Sequence, residues 1–231
     1  TYRYTVQAGD LDTNGIAVDS LSLNTTTIQD TATNTLNTTL NSVGSTANVN
    51  VDAIVPAISS VSVPADGTYV AANNLDFTVN FSENVTVTGT DSVLNITIGS
   101  SAKTAAYLSK TASSITYRYT VQAGDSDTNG ISVDSLSLNT STVKDAANNS
   151  LDTTLNNVGS TANVNVDAVA PTISSVSVPA DGTYVATNNL DFTVNFSENV
   201  TVTGTDSALN ITIGSFSKTA AYLSKTASSI T

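Results

Sequence analysis

The residues best placed for chemistry form one short run. Asp125, Asp127 and Asn129 alternate ahead of Gly130 in DSDTNG, and Asp10, Asp12 and Asn14 stand the same way ahead of Gly15 in DLDTNG. Alternating side-chain oxygens before a glycine that permits a sharp turn is calcium-loop spacing, with the Ile131 carbonyl as a further ligand. An EF-hand is excluded, because its twelfth position would carry a bidentate Glu where this chain has Leu136, and helices would flank it. Asn-Gly between alternating hydrophobic runs is equally the signal of a hairpin turn. The two readings are compatible, and both stay open here.

Composition narrows the rest. Of the 231 residues, 19 are acidic and 7 basic, a net charge of -12, and every acid but Glu83 and Glu198 is Asp. Nucleic acid and anionic membrane are therefore unsuited partners, since both need a basic face. Cys and His are both absent. That removes disulfides, thiolate and Ser-His-Asp catalysis, imidazole ligation and the usual general base near neutral pH, so no enzyme is expected. There is no run of about 18 apolar residues to span a bilayer and no basic-then-apolar leader. Thr, Ser, Asn, Val and Ala dominate, which suits strands and turns and disfavours helices.

The elements that must position these acids come in a tandem repeat. TYRYTVQAGD begins at Thr1 and again at Thr116, and the match continues to Thr231 with 17 differing positions in a 115-residue period, so roughly 85% of pairs are identical. A period of this length is one domain, not a solenoid unit. The boundary signal is VNVDAIVPAISSVSVP, Val49 to Pro64, with its copy from Val164 to Pro179. Two β-rich runs meet there at Pro56 or Pro171, and proline holds the preceding residue extended, which makes a short, stiff junction. Residues 53–167 are thus expected to be one complete domain. Residues 1–52 are then the back part of a preceding domain and residues 168–231 the front part of the next.

Within one period the apolar residues alternate. LDFTVNFS puts Leu75, Phe77, Val79 and Phe81 on a buried face, with Asp76, Thr78, Asn80 and Ser82 expected in solvent. Val85 and Val87, Ile96 and Ile98, then Ile115, Tyr117, Tyr119 and Val121 continue the pattern. A phase shift at Asp134-Ser135, between Ile131/Val133 and Leu136/Leu138, predicts a bulge, and Val164 and Val166 close the domain. With ISSVSVP and KTAAYLSK this makes seven or eight strands. Their number and spacing predict an all-β fold of tandem antiparallel β-sandwiches of immunoglobulin or fibronectin type, with a closed barrel as the other solution. The Tyr and Phe set reads as cross-strand packing and not as a sugar platform. Lys103, Lys110 and Arg118 form no basic patch, and sequons such as Asn84-Val85-Thr86 arise by chance in a chain this rich in Asn and Thr.

In such a sandwich a second group of acids gathers at the end where the chain enters. Glu83 or Glu198 lies in the SEN loop, Asp145 or Asp30 in the loop before the last strand, and Asp52 or Asp167 on the arriving linker. Three carboxylates from two domains could share one cation there, or each could cap its own turn.

VDAVAPTISSVSVPADGTY, LDFTVNFSENVTVTG, YTVQAGDSDTNGI and VKDAANNSLD, in that order, resemble the bacterial Ig-like repeats of giant secreted adhesins, including biofilm-associated and RTX-type surface proteins. The resemblance implies an extracellular, cell-surface extender that holds a terminal adhesive domain away from the cell, is often stiffened by calcium, and itself binds little. Its partners would be neighbouring repeats of the same chain. One alternative is a filament or sheath in which copies of the protein associate with one another. Another is a module that binds glycan or ice through a flat Thr-rich or aromatic face.

Overall fold

A computed structural model describes residues 1–231, and every regular element in it is a strand. The strands are β1 (Leu11–Asp12), β2 (Val51–Asp52), β3 (Ile58–Ser62), β4 (Gly67–Tyr69), β5 (Asn74–Phe81), β6 (Thr86–Thr88), β7 (Val93–Ile98), β8 (Ser101–Lys110) and β9 (Ser114–Thr120). They continue as β10 (Ser126–Asp127), β11 (Ser132–Ser137), β12 (Thr142–Lys144), β13 (Val164–Asp167), β14 (Ile173–Ser177), β15 (Thr193–Phe196), β16 (Ala208–Ile213), β17 (Phe216–Ala221) and β18 (Ser229–Ile230). Two compact units are present, Thr1–Asp167 and Ala168–Thr231.

In the first unit a curled, sandwich-like sheet of six strands runs in the order β11-β7-β8-β9-β5-β3, antiparallel throughout. Besides the two-stranded pair β1-β2, two smaller sheets accompany it, β10-β13-β4 and β12-β6, and the β13-β4 pair is parallel. All three sheets supply buried side chains. Leu75, Phe77 and Val79 come from β5, Tyr117 from β9, Val164 and Val166 from β13, and Val87 and Val143 from β6 and β12. Phe77 faces Tyr117 and Leu75 faces Tyr119 directly across the β5-β9 ladder, which is cross-strand aromatic packing. The Tyr117 hydroxyl, fully buried, reaches Ser92 Oγ at 3.1 Å.

The alternates on β5 differ from expectation. Asp76, Thr78 and Asn80 are half-buried, and only Ser82 is exposed. The cause is that β5 has a neighbour on both sides, so its outer face is roofed by cross-strand bonds. Arg118 donates Nε and Nη2 to Asp76, each at 2.6 Å, Thr78 and Thr116 hydroxyls meet at 3.1 Å, and Asn80 Nδ2 donates to Ser60 Oγ at 3.1 Å. The bulge read from the phase shift lies between Val133 and Ser135, where β11 slips against β7.

The outer strand β3 does not end the sheet bare. Val61 N donates to Asn157 O at 3.3 Å, Gly159 N donates to Val61 O at 2.9 Å, and Asn157 Nδ2 donates to Ser59 O at 2.9 Å. The segment around Val158 thereby runs parallel to β3 and takes up its free backbone groups. A side chain at residue 159 would press on Val63 Cγ2, 2.9 Å from an added Cβ, and glycine occupies that position.

The second unit repeats residues 53–116 with seven differing positions and has fewer partners. It forms two separate sheets, β14-β15-β18 and the hairpin β16-β17. Its β18 pairs with β15 through two residues only, Ile230 with Val194 and Ser229 with Asn195.

Candidate functional site

The DSDTNG loop follows β9 and is pinned to the six-stranded sheet. Asp125 is buried. Its Oδ2 accepts from the Tyr119 hydroxyl at 2.6 Å and from Gln122 N at 2.8 Å, and its Oδ1 pairs with Lys103 Nζ at 2.7 Å. Tyr119 and Lys103 come from the adjacent strands β9 and β8, so sheet register delivers both to one carboxylate. Burial pushes the Asp125 carboxyl up, but the Lys103 ammonium, the Tyr119 hydroxyl and the Gln122 amide together outweigh it and hold the group below the usual carboxylate range. The same contact, led by its hydrogen bond, raises Lys103.

Asp127, also buried, accepts from Gly99 N at 2.6 Å and from Asn129 N at 3.1 Å. The second bond is an Asx turn, and Asn129 itself stays exposed. Gly130 follows at φ 96°, with Thr161 O only 2.4 Å from where a Cβ would stand. Both backbone angle and space therefore require glycine here. In the first copy Asp10 Oδ2 accepts from the Tyr4 hydroxyl and Gln7 N, each at 2.7 Å, and Asp12 Oδ1 accepts from Asn14 N at 3.1 Å and Gly15 N at 2.7 Å. The Gln7 amide, then Tyr4, lower the Asp10 pKa, and no lysine stands beside it. A cation in the complete loop would have to displace Lys103 from Asp125 and the Gly99 amide from Asp127.

The segments that meet at the junction of the middle copy are held together by hydrogen bonds. Ala57 N and Ser82 Oγ are 3.0 Å apart, Ser82 N donates to Ala57 O at 2.8 Å, and Asp152 N donates to Pro56 O at 2.9 Å. Asn149 Nδ2 is shared among Asp52 O, Ile54 O and Asp145 Oδ2, at 3.1, 3.0 and 2.8 Å. The linker, the Glu83 turn and the Asp145 turn are thus tied at one end of the sandwich. Burial, then the charges of Asp145 and Asp52, raise the Glu83 pKa. Asp145 is buried, and its other oxygen accepts from Asn149 N at 2.8 Å. In the first copy Asp30 is bound likewise by Asn34 through Nδ2 and the backbone amide, both at 2.8 Å, and lies in solvent. Glu198 belongs to the second unit.

Two connections were not legible in the sequence. Leu11 pairs with Asp52 and Asp12 with Val51, while Ser126 pairs with Asp167 and Asp127 with Val166. Each DxDTNG loop is therefore the sheet neighbour of its own linker acid. Asp91 was also missed. Its carboxylate accepts from the hydroxyls of Ser141 and Thr140 and from Thr140 N at 3.1 Å, which holds its pKa at about 2. These partners lie 49 and 50 residues on, and no local pattern announces them.

No three acidic side chains are gathered closely enough to hold a metal ion between them. No family model matches the chain, and no curated protein or solved structure matches it either.

Proposed function

We propose that the chain is a non-enzymatic extender from a tandemly repeated bacterial surface protein, an extracellular array of immunoglobulin-like sandwiches whose partners are the neighbouring repeats. Residues 53–167 are one complete domain, 1–52 the back of the domain before and 168–231 the front of the domain after. One observation carries this reading. Identical residues are covered in the middle copy and bare in the outer ones: Tyr117 is 0% exposed and Tyr2 82%, Ile58 1% and Ile173 64%. Each outer copy is bare on the face that the rest of its period would cover, and burying that face is the main source of stability for a sandwich.

The carboxylates serve turns and strand pairing, as Asp127 does on Asn129 N and Asp76 on Arg118. In this reading calcium belongs at the junction and not in DSDTNG. Burial, then the charges of Asp145 and Asp52, raise Glu83, and a divalent cation between Asp52 and Glu83 would relieve the charge part of this and tie two domains to one ion.

Two fragments of equal length test the register. Residues 53–167 alone are expected to unfold in one cooperative transition, and residues 1–115 are not. The opposite result overturns the domain assignment. For calcium, a chain with at least two complete repeats is melted and measured by small-angle scattering with calcium and with chelator. A higher midpoint and a larger maximum dimension are expected. If neither moves, the junction acids are solvated groups and stiffness rests on Pro56 and Pro171.

A further inference from the structure

The first and last segments of residues 53–167 lie side by side and run in the same direction. β4 pairs in parallel with β13, Gly67 with Val164, Thr68 with Asn165 and Tyr69 with Val166. Upstream, Ala57 bridges Asp152 and Val61 bridges Val158, again in parallel, and every other pairing in the chain is antiparallel. Bonds outside the ladder extend the contact. Asp152 N donates to Pro56 O, Gly159 N to Val61 O and Gly67 N to Asn163 O, each at 2.9 Å, and Val61 N donates to Asn157 O at 3.3 Å. Two side chains join in, Asn157 Nδ2 donating to Ser59 O at 2.9 Å and Asn163 Nδ2 to Asp66 Oδ2 at 3.1 Å.

The shared direction decides how these bonds meet a pull along the chain. Such a pull enters the first segment at its N-terminal end, through Pro56, and leaves the last at its C-terminal end, through Asp167. Two parallel strands held at opposite ends are drawn past each other lengthwise, so the bonds between them are stretched together and yield in one step. Antiparallel neighbours held at one shared end instead peel apart, one bond after another. Burial adds to the resistance. Ile58 and Val61 are 1% exposed and Val164 and Val166 0%, so any slip drags apolar side chains out of the core into water.

The geometry points to a tension clamp: residues 56–69 and 152–167 together hold the domain shut against a load applied through its two linkers. The inference rests on reading residues 53–167 as one domain of an extended array, and it goes beyond spacing to a function under force. Resistance of this kind is a matter of the unfolding barrier in one direction and not of total stability. The same domain is therefore strong along the chain and weak across it.

The chain has no cysteine, so introduced ones fix where it is held. In optical tweezers the full chain is pulled through Thr1→Cys and Thr231→Cys, which loads both segments lengthwise. A second version is pulled through Ser100→Cys and Asn129→Cys, both exposed, which stand at the shared end of the antiparallel pair β7 and β11. The terminal pull is expected to open the complete copy in one step at about twice the force of the crosswise pull or more. Equal forces, or a weaker terminal direction, overturn the clamp. Asn157→Gly combined with Asn163→Ala removes both side-chain bonds, and glycine suits the φ of 46° at residue 157. This double variant is expected to lower the terminal force and leave the crosswise force unchanged, and a variant that lowers both alike, or neither, also overturns the clamp. The length released by the terminal step separates the two readings. If it matches 115 residues and the forces are equal, only the clamp is wrong. Any other length overturns the period reading, and the clamp with it.

Discussion

TYRYTVQAGD occurs twice and has two structures. From Thr116 it is the central strand β9 and then a pinned turn, with Tyr117 and Tyr119 buried, whereas from Thr1 its tyrosines are exposed and residues 1–6 make no strand. The sequence is the same, so the difference lies wholly in the neighbours, β5 and β8, that flank one copy and not the other. Strand propensity here measures fit to a pleated, half-covered surface, and the strand exists where that surface exists.

The sharpest way to test the contrast is to make one substitution in both copies. Phe77→Ala is expected to lower the stability of the complete copy by about 3–5 kcal/mol, whereas Phe192→Ala should cost under about 1 kcal/mol, because it empties no enclosed space. Urea unfolding of the main transition measures both, and equal losses would mean the outer copy is not open.

Next in size is Lys103→Met, which leaves the buried Asp125 carboxylate without its cation and is expected to cost about 1.5–2 kcal/mol near neutral pH. Asp125 is depressed in the fold, so its contribution is present above the ordinary carboxylate range and is lost as pH falls through its lowered value. Acid unfolding should therefore be shallower in the variant. Asp10→Asn, in the copy with no lysine, should leave the main transition unmoved.

Tyr117→Phe is expected to cost about 1 kcal/mol for the hydrogen bond to Ser92, and Tyr2→Phe nothing measurable. Burial pushes Tyr117 up to about 12, so the neutral phenol is favoured. That contribution is complete below pH 10 and disappears as pH rises through about 12, and the variant should lose this part of the alkaline transition. The smallest effect is expected at Asp91, whose pKa of about 2 gives a contribution lost as pH falls from the ordinary carboxylate value through 2. Asp91→Asn should flatten only that end of an acid titration followed by circular dichroism.

Where a signal is local, it was legible. The alternation along Leu75 to Phe81 marked β5, the phase shift at Asp134-Ser135 marked the bulge, and Asn-Gly marked the turn. The half-burial of Asp76, Thr78 and Asn80 was not, because a period of two says which face a residue is on but not whether strands flank it on both sides. The parallel β13-β4 pair and the Lys103-Tyr119-Asp125 group were equally hidden, since each is delivered by the order of strands in the sheet. The number of sheets was also coarser in the sequence. Short strands such as β10 and β12 leave the main sheet for smaller ones, so eleven strands serve where seven or eight were expected.

The segment along β3 has a consequence for crowding. A bare outer strand offers its N–H and C=O row to any other strand, and identical sequences make the best mutual templates. With Asn157 and Gly159 already bonded to Val61, and Asn157 Nδ2 on Ser59, that row is occupied from within the same repeat. That outer strand is then closed to pairing with the same strand of a near-identical neighbour.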